Sequence, residues 1–383
     1  MITRQQKKRN FFWNIFGSGS GGKPDYLLLV LLFALVVFGL IMISSVSVVV
    51  SYDTFGDSHQ FFKDQLVSAL IGLVVFLVVS KINYRFWKKY ALLMLIVTLG
   101  LLIMVFIPGL SFEHGGARRW ILIGPIFFQP SEVIKLTFLF YLSAWLTKKG
   151  EEIKDFSVGY LPFLALLVMI AGLIMMQPDL GTMLVIAAMS SVLFFVAGAN
   201  IRHILLTLFG AVGVVWLLII TSAYRMARLK AFLNPEENLL GIGYHIQQAL
   251  VAIGSGGWLG RGFGRSLQKF SYLPEVSGDS IFAVMSEELG FLRITLFVLV
   301  YLIFLVRGFQ IAKKAPDMFG RLLALGVVTW LGFQAFVNMA AMLSLVPLTG
   351  LPLPFVSYGG SSLIISMFGV GVLYNISKYA NRN

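Results

Sequence analysis

Residues 26–50 read YLLLVLLFALVVFGLIMISSVSVVV, from Tyr26 to Val50 without a charged side chain. As a helix rising ~1.5 Å per residue, such a run crosses the ~30 Å hydrocarbon core of a bilayer with length to spare. It is about twice as long as a signal-peptide core and shows no small-x-small cleavage site, so it reads as a retained span. Working outward, apolar runs recur at 66–79, 91–107, 133–146, 161–176, 182–199, 204–221, 281–306, 322–345 and 363–376. The pattern predicts an all-α membrane protein, a polytopic bundle of about ten transmembrane helices.

Composition agrees. Hydrophobic residues make up 58% of the 383 and charged residues 12%, with a mean hydropathy of +0.87; a soluble domain would carry far more charge. The chain has no cysteine, which excludes disulfides, thiolate nucleophiles and Cys-ligated metals. Its four histidines are scattered and mark no metal site. The net charge of +13 sits largely on residues flanking the apolar runs, where it sets topology, so nucleic acid is not an expected partner.

Orientation follows from the short connections. Lys81, Arg85, Lys88 and Lys89, then Lys148, Lys149 and Lys154, then Arg202, then Arg307, Lys313 and Lys314 all fall on the side of the basic N-terminus. Asp53, Asp57 and Asp64 fall opposite, as does the uncharged stretch 346–356. The positive-inside rule therefore places both termini in the cytoplasm. Residues 1–25 form a basic, aromatic segment and a glycine-rich linker, and residues 26–383 one membrane domain. Between spans seven and eight, residues 222–280 make a large extracytoplasmic loop. It is too apolar for disorder and repeats apolar residues at helical spacing, which predicts surface-lying helices.

At the end of that loop, Tyr272-Leu273-Pro274-Glu275-Val276-Ser277-Gly278-Asp279-Ser280 runs directly into a span. A carboxylate at this water–membrane border can be partly desolvated and still reach a polar substrate, which suits a general base at Asp279. The same position also suits a helix N-cap; the sequence leaves both open. Span length pulls Glu287 and Glu288 below the surface, where charges are paired or functional. Helical geometry turns Glu287 toward the Asp279 side and Glu288 toward a neighbouring helix. Glu132 and Lys135, three apart, share a face and are expected to pair, either as structural glue or lining a substrate cavity.

Arg118 and Arg119 lie on an outer loop against the charge rule. Beside Trp120 they form a guanidinium pair at headgroup depth, a natural ligand for a lipid phosphate or pyrophosphate. Gln129-Pro130-Ser131-Glu132 and Gln177-Pro178-Asp179 each place Gln-Pro and an acid at an outer helix start. The glycine-dense stretch 254–264 lacks a nucleotide-binding signature and is expected to turn tightly near a ligand or another chain. Residues 347–362, rich in Pro and Gly, break any helix and predict a re-entrant loop with Ser357 facing a pocket.

Those segments resemble the SEDS family (shape, elongation, division and sporulation proteins) along nearly the whole chain. The matching stretches are Gly116-Ala117-Arg118-Arg119-Trp120, Gln129-Pro130-Ser131-Glu132, Gln177-Pro178-Asp179-Leu180-Gly181-Thr182, Tyr272-Leu273-Pro274-Glu275, residues 282–290 and residues 352–362. The Arg-Arg-Trp form and Gln268-Lys269 before Tyr-Leu-Pro-Glu look more like its division-type FtsW members than its elongation-type RodA members.

The resemblance implies a peptidoglycan glycosyltransferase that polymerises lipid II at the outer face of the cytoplasmic membrane, at the division septum for an FtsW-type member. By motif its essential Asp is Asp279. Arg118, Arg119, Trp120, Glu132, Lys135, Gln177, Asp179, Glu275, Glu287 and Ser357 are the candidate substrate-binding residues. The resemblance also implies a divalent cation, Mg2+ or Mn2+, whose ligands the sequence does not show. As partners it implies a class B penicillin-binding transpeptidase and other divisome membrane proteins. Where the family often has His-Thr before the Asp, Ser277-Gly278 stand here. A lipid II flippase, a non-catalytic division scaffold and a RodA-type elongation polymerase are the alternatives.

Overall fold

The computed structural model describes residues 22–107, 109, 111–114, 117–123, 126–234 and 241–380. The expected basic segment before residue 22 lies outside the described residues. In chain order the elements are α1 (Tyr26–Val46), α2 (Val48–Phe55), α3 (Gln60–Val79), α4 (Arg85–Met104), β1 (Ser111–His114), β2 (Ala117–Ile123), β3 (Ile126–Phe128) and α5 (Pro130–Lys149). After a 3-10 turn at Gly150–Lys154 and a π turn at Phe156–Tyr160 come α6 (Leu161–Met175), α7 (Leu180–Val196), α8 (Ile201–Ile220), α9 (Ala223–Leu233), α10 (Ile242–Ser255), α11 (Ile281–Lys313), α12 (Met318–Met342) and α13 (Gly360–Ala380).

Among the described residues eight helical segments are long and apolar enough to cross a membrane: α1, α3, α4, α6 with its preceding π turn, α8, α11, α12 and α13. The two remaining expected spans correspond to α5 and α7. Helix α7 has 17 residues. Helix α5 has the length, 20 residues, but carries Glu132 and Lys135 within a largely buried surface. Inside a helix bundle such charges face neighbouring helices and not lipid.

Helix α12 lies at the centre, packed against α5, α7, α11 and α13. At the other extreme, only His203 and Thr207 of α8 are buried, and its Leu208, Phe209, Val212 and Trp216 stand exposed. Those side chains suit contact with lipid.

Two features depart from the sequence reading. The outer segment around Arg118 folds as a three-stranded antiparallel sheet, β1-β2-β3, where a loop is expected. The first apolar run is also not one helix: α1 ends at Val46, and α2 restarts one residue later after Ser47.

The glycine-dense stretch after α10 turns against its own chain. The Arg261 and Gly262 amides donate to the carbonyls of Glu287 and Glu288, and Phe291 and Leu292 donate back to Gly257 and Trp258. These bonds are available because α11 breaks at Gly290, φ 76° and ψ 174°. A Cβ on Gly260 would sit 2.2 Å from the Glu288 carbonyl oxygen, and one on Gly290 2.1 Å from the Gly260 nitrogen. Backbone meets backbone here, so only glycine fits. The contact pins the long loop onto α11 just beyond Asp279.

Candidate active site

Asp279 stands two residues before α11, whose N-cap position is taken by Ser280. Ser280 makes no side-chain cap bond, and among the described residues the Asp279 carboxylate accepts one side-chain hydrogen bond, from the Ser280 hydroxyl at 3.5 Å. The carboxylate therefore does not cap the helix, and the N-cap reading of Asp279 does not hold.

Its backbone is held from several directions. The Gly278 and Ser280 amides donate to the Glu275 carbonyl, and the Tyr358 amide donates to Ser277. From α12, Asn338 Nδ2 donates to the Asp279 carbonyl at 2.7 Å and to the Leu351 carbonyl at 2.8 Å. Glu275 adopts φ 50°, a left-handed conformation that costs a non-glycine residue energy and is held here by this turn. Opposite the carboxylate, a Cβ on Gly350 would lie 3.9 Å from Asp279 Oδ2.

The half-buried Asp279 has its pKa pushed up to about 7, first by burial and then by the Glu275 carboxylate, with the Arg228 guanidinium working in the opposite direction. A base whose proton affinity lies near the working pH is both ionised often enough and strong enough to take a proton. Arg228, on α9, is anchored by a 2.9 Å bond from its Nη1 to the Leu348 carbonyl and by the Tyr224 hydroxyl and ring. Its buried Nε has no hydrogen-bond partner among the described residues.

A second polar cluster lies inside the bundle. Lys135 is 0% exposed and Glu132 2%; Lys135 Nζ is 2.8 Å from Glu132 Oε1 and donates to Gln334 Oε1 at 2.9 Å, beside the Trp330 ring. Gln334 Nε2 in turn donates to the Pro352 carbonyl. Gln334 and Asn338 lie four apart on one face of α12. That face thus joins the buried pair, the 350–352 segment and Asp279 into one framework.

The other sequence candidates divide by role. Arg119 donates through Nε to the Gln177 carbonyl at 3.1 Å and through Nη2 to the Pro178 carbonyl at 2.6 Å. Gln177 donates to Leu102. Asp179 caps α7 through the Thr182 amide and hydroxyl. These three bind the small sheet to the start of α7, which itself packs on Thr349 and Leu351 at Gly181. Arg118 lies on β2 beside Arg119 and the half-buried Trp120.

Glu287 is buried, and its carboxylate accepts from the Ser266 hydroxyl and the Leu267 and Gln268 amides. Glu288 accepts from Ser45 of α1 and pairs with Lys269 at 3.3 Å. The two neighbours, about 100° apart on the helix, thus hold the loop between them, and Glu288 also holds α1. Ser357 is buried, and its hydroxyl accepts from the Leu353 amide at 2.7 Å. Glu275, exposed, stands beside Asp279. Sequence reading did not single out Arg228, His245, Ser280, Gln334 or Asn338 as site residues. The partners of His245, Gln334 and Asn338 lie far along the chain, and Ser280 and Arg228, though they also bind the nearby Pro274 and Tyr224, belong to no local pattern that marks them.

Residues 25–382 match the FtsW/RodA/SpoVE family, described as "Cell cycle protein". The chain belongs to that family. It is 43% identical over 353 residues to the probable peptidoglycan glycosyltransferase FtsW of Trichlorobacter lovleyi, covering 92% of this chain and 93% of that one. It is 41% identical over 358 residues to stage V sporulation protein E of Bacillus subtilis, covering 93% and 98%.

Among solved structures, a chain from a study of the structural coordination of polymerization and crosslinking by a peptidoglycan synthase complex superposes with a TM-score of 0.77 at 28% identity, covering 94% of this chain and 99% of that one. The rod shape determining protein RodA of Thermus thermophilus superposes with a TM-score of 0.70 at 28% identity, covering 94% and 98%. Family membership agrees with the fold: a multi-pass helical membrane protein whose long loop ends at a carboxylate.

Proposed function

We propose that this chain is a peptidoglycan glycosyltransferase that polymerises lipid II into β-1,4 glycan strands, with Asp279 as general base. The observation that carries the reading is the carboxylate of Asp279, unused as a helix cap, half-buried at a loop–span junction and tuned to about pH 7. The names of the relatives support the same reaction class. Asp279 takes the proton from the 4-hydroxyl of the acceptor sugar as that oxygen attacks the anomeric carbon of the donor. The bond from that carbon to the lipid pyrophosphate breaks, and inversion turns an α-linked donor into a β-1,4 link.

Charge develops on the departing undecaprenyl diphosphate, and a fixed cation near it lowers the barrier. Arg228 is the loop guanidinium whose charge acts on Asp279, and Arg118 and Arg119 lie on the small sheet. Among the described residues no three His, Cys, Asp or Glu side chains gather to hold a metal. Among those residues there is thus no assembled cage for the Mg2+ or Mn2+ that the resemblance implies.

The finer topology belongs to the same proposal: ten spans, cytoplasmic termini, residues 222–280 outside, and placement in the cytoplasmic membrane at the division septum. It puts Asp279 on the side where the glycan is built. Reconstitution tests the activity. Purified protein in vesicles with lipid II, and no membrane potential, should yield polymer, and Asp279→Asn should lose it by about two orders of magnitude or more. Polymer at the wild-type rate from Asp279→Asn would overturn the assignment, and no polymer from the wild type would favour a flippase or scaffold.

A further inference from the structure

His245, on α10, belongs to none of the motifs above, yet its ring reaches the Asp279 turn. Its Nε2 lies 2.6 Å from the Ser280 hydroxyl oxygen. That hydroxyl also lies 2.7 Å from the Pro274 carbonyl and 3.5 Å from Asp279 Oδ1. Hydrogen-bond arithmetic then fixes the direction of the chain. A serine hydroxyl has one proton, and neither the carbonyl nor the ionised carboxylate can donate. Were Nε2 the acceptor, the proton would point to the ring, leaving the Pro274 oxygen against the hydroxyl oxygen at 2.7 Å with no hydrogen between them. With Nε2–H donating, the serine proton is free to point away from the ring, toward Pro274 and Asp279.

We propose that His245 is a positioning residue for Asp279, acting through Ser280: its Nε2–H fixes the Ser280 oxygen so that the hydroxyl proton is directed at the turn and the carboxylate. The proposal rests on Asp279 being the base. When Asp279 ionises, the hydroxyl can turn from Pro274 toward Oδ1, and a side-chain movement that shortens the 3.5 Å separation replaces the neutral bond with a charge-assisted one, the stronger of the two. The charged groups facing that carboxylate are Glu275 on its own turn and Arg228 from α9. Burial and Arg228 both keep the imidazole neutral, with its pKa lowered to about 4, so it stays a single-proton donor throughout the range in which Asp279 titrates.

The test measures polymerisation of lipid II against pH in the reconstituted full-length protein. His245→Ala should lower kcat about tenfold with KM changed by less than about twofold. It should also move the acidic limb of the rate profile to higher pH, because an ionised carboxylate that loses a donor binds its proton more tightly. His245→Gln keeps an N–H donor and should restore both. Ser280→Ala should reproduce the loss, and adding His245→Ala to it should cost nothing more.

A His245→Ala protein with wild-type kcat and limb, a Gln variant as impaired as the Ala variant, or additive losses would each overturn the proposal. Should His245→Ala fail to purify, Ser280→Ala decides alone: an unchanged kcat and limb overturns it. Asp279→Asn separates the two levels. An active Asp279→Asn removes the base and this proposal with it, whereas an inactive Asp279→Asn beside a wild-type-like His245→Ala removes this proposal only.

Discussion

Asp279 is pulled between stability and chemistry. Its proton affinity is higher in the folded protein, about 7, than the ordinary 3.8, so the fold is helped where the carboxyl is protonated. That contribution is fully present below about pH 4 and is lost as the pH rises toward 7, where the ionised form is left half-buried beside Glu275. The difference corresponds to at most ~4 kcal/mol, and solvent reaching the exposed part of the side chain reduces it. Asp279→Asn should therefore melt at a higher temperature than the wild type at pH 8 and at the same temperature near pH 4. Polymerisation by the wild type should climb through pH 7 as the base ionises. Thermal melts at the two pH values check the first half, and a variant less stable at pH 8 would show that the carboxylate supports the fold.

At the scale of elements, the buried Glu132–Lys135 pair on α5 is tied through Gln334 of α12 to the Pro352 carbonyl. Removing one partner strands a charge in a site that is 0–2% exposed, at a cost of about 3–5 kcal/mol. Glu132→Gln and Lys135→Met should each lower the melting temperature more than the double variant does. Strictly additive losses would show that the charges do not interact.

This pair was legible in the sequence because helical spacing and span length together demand it. So was the place of Asp279, which the loop–span junction puts where the structure has it, just before α11, while its reading as the base comes from the family motif. The small sheet was not: the strands around Arg118 are only 3 to 7 residues long, too short for alternation to stand out. Nor was the work of Asp179, Glu287 and Ser357, whose polar atoms bind backbone groups brought near by folding. The glycines at 256–264 announced a close approach, but what they approach, the start of α11, lies 30 or so residues on, and no local pattern names it.

At the scale of the whole molecule, the long loop before α11 is bound to the bundle at both ends of its working part. Glu287 holds the Ser266 hydroxyl and the Leu267 and Gln268 amides, Glu288 holds Lys269 and Ser45, and the Gly260–Gly290 contact closes the turn between them. Asp279 therefore sits in a rigid frame, and a protein docking on that loop can act on the carboxylate through few soft joints. The loop also presents Trp258, Leu259, Phe263, Leu267, Phe270 and Tyr272 to its surroundings, more large apolar side chains together than a water-facing loop carries. We expect a class B penicillin-binding transpeptidase to be the partner, as the family resemblance implies, with other divisome membrane proteins around it. Co-reconstituting the cognate transpeptidase should raise the polymerisation rate, chiefly in kcat, and Phe263→Ser with Phe270→Ser should remove that increase while leaving the basal rate of the isolated chain in place. Equal rates with and without every candidate transpeptidase would count against the pairing. An increase that survives both substitutions would move the docking surface elsewhere.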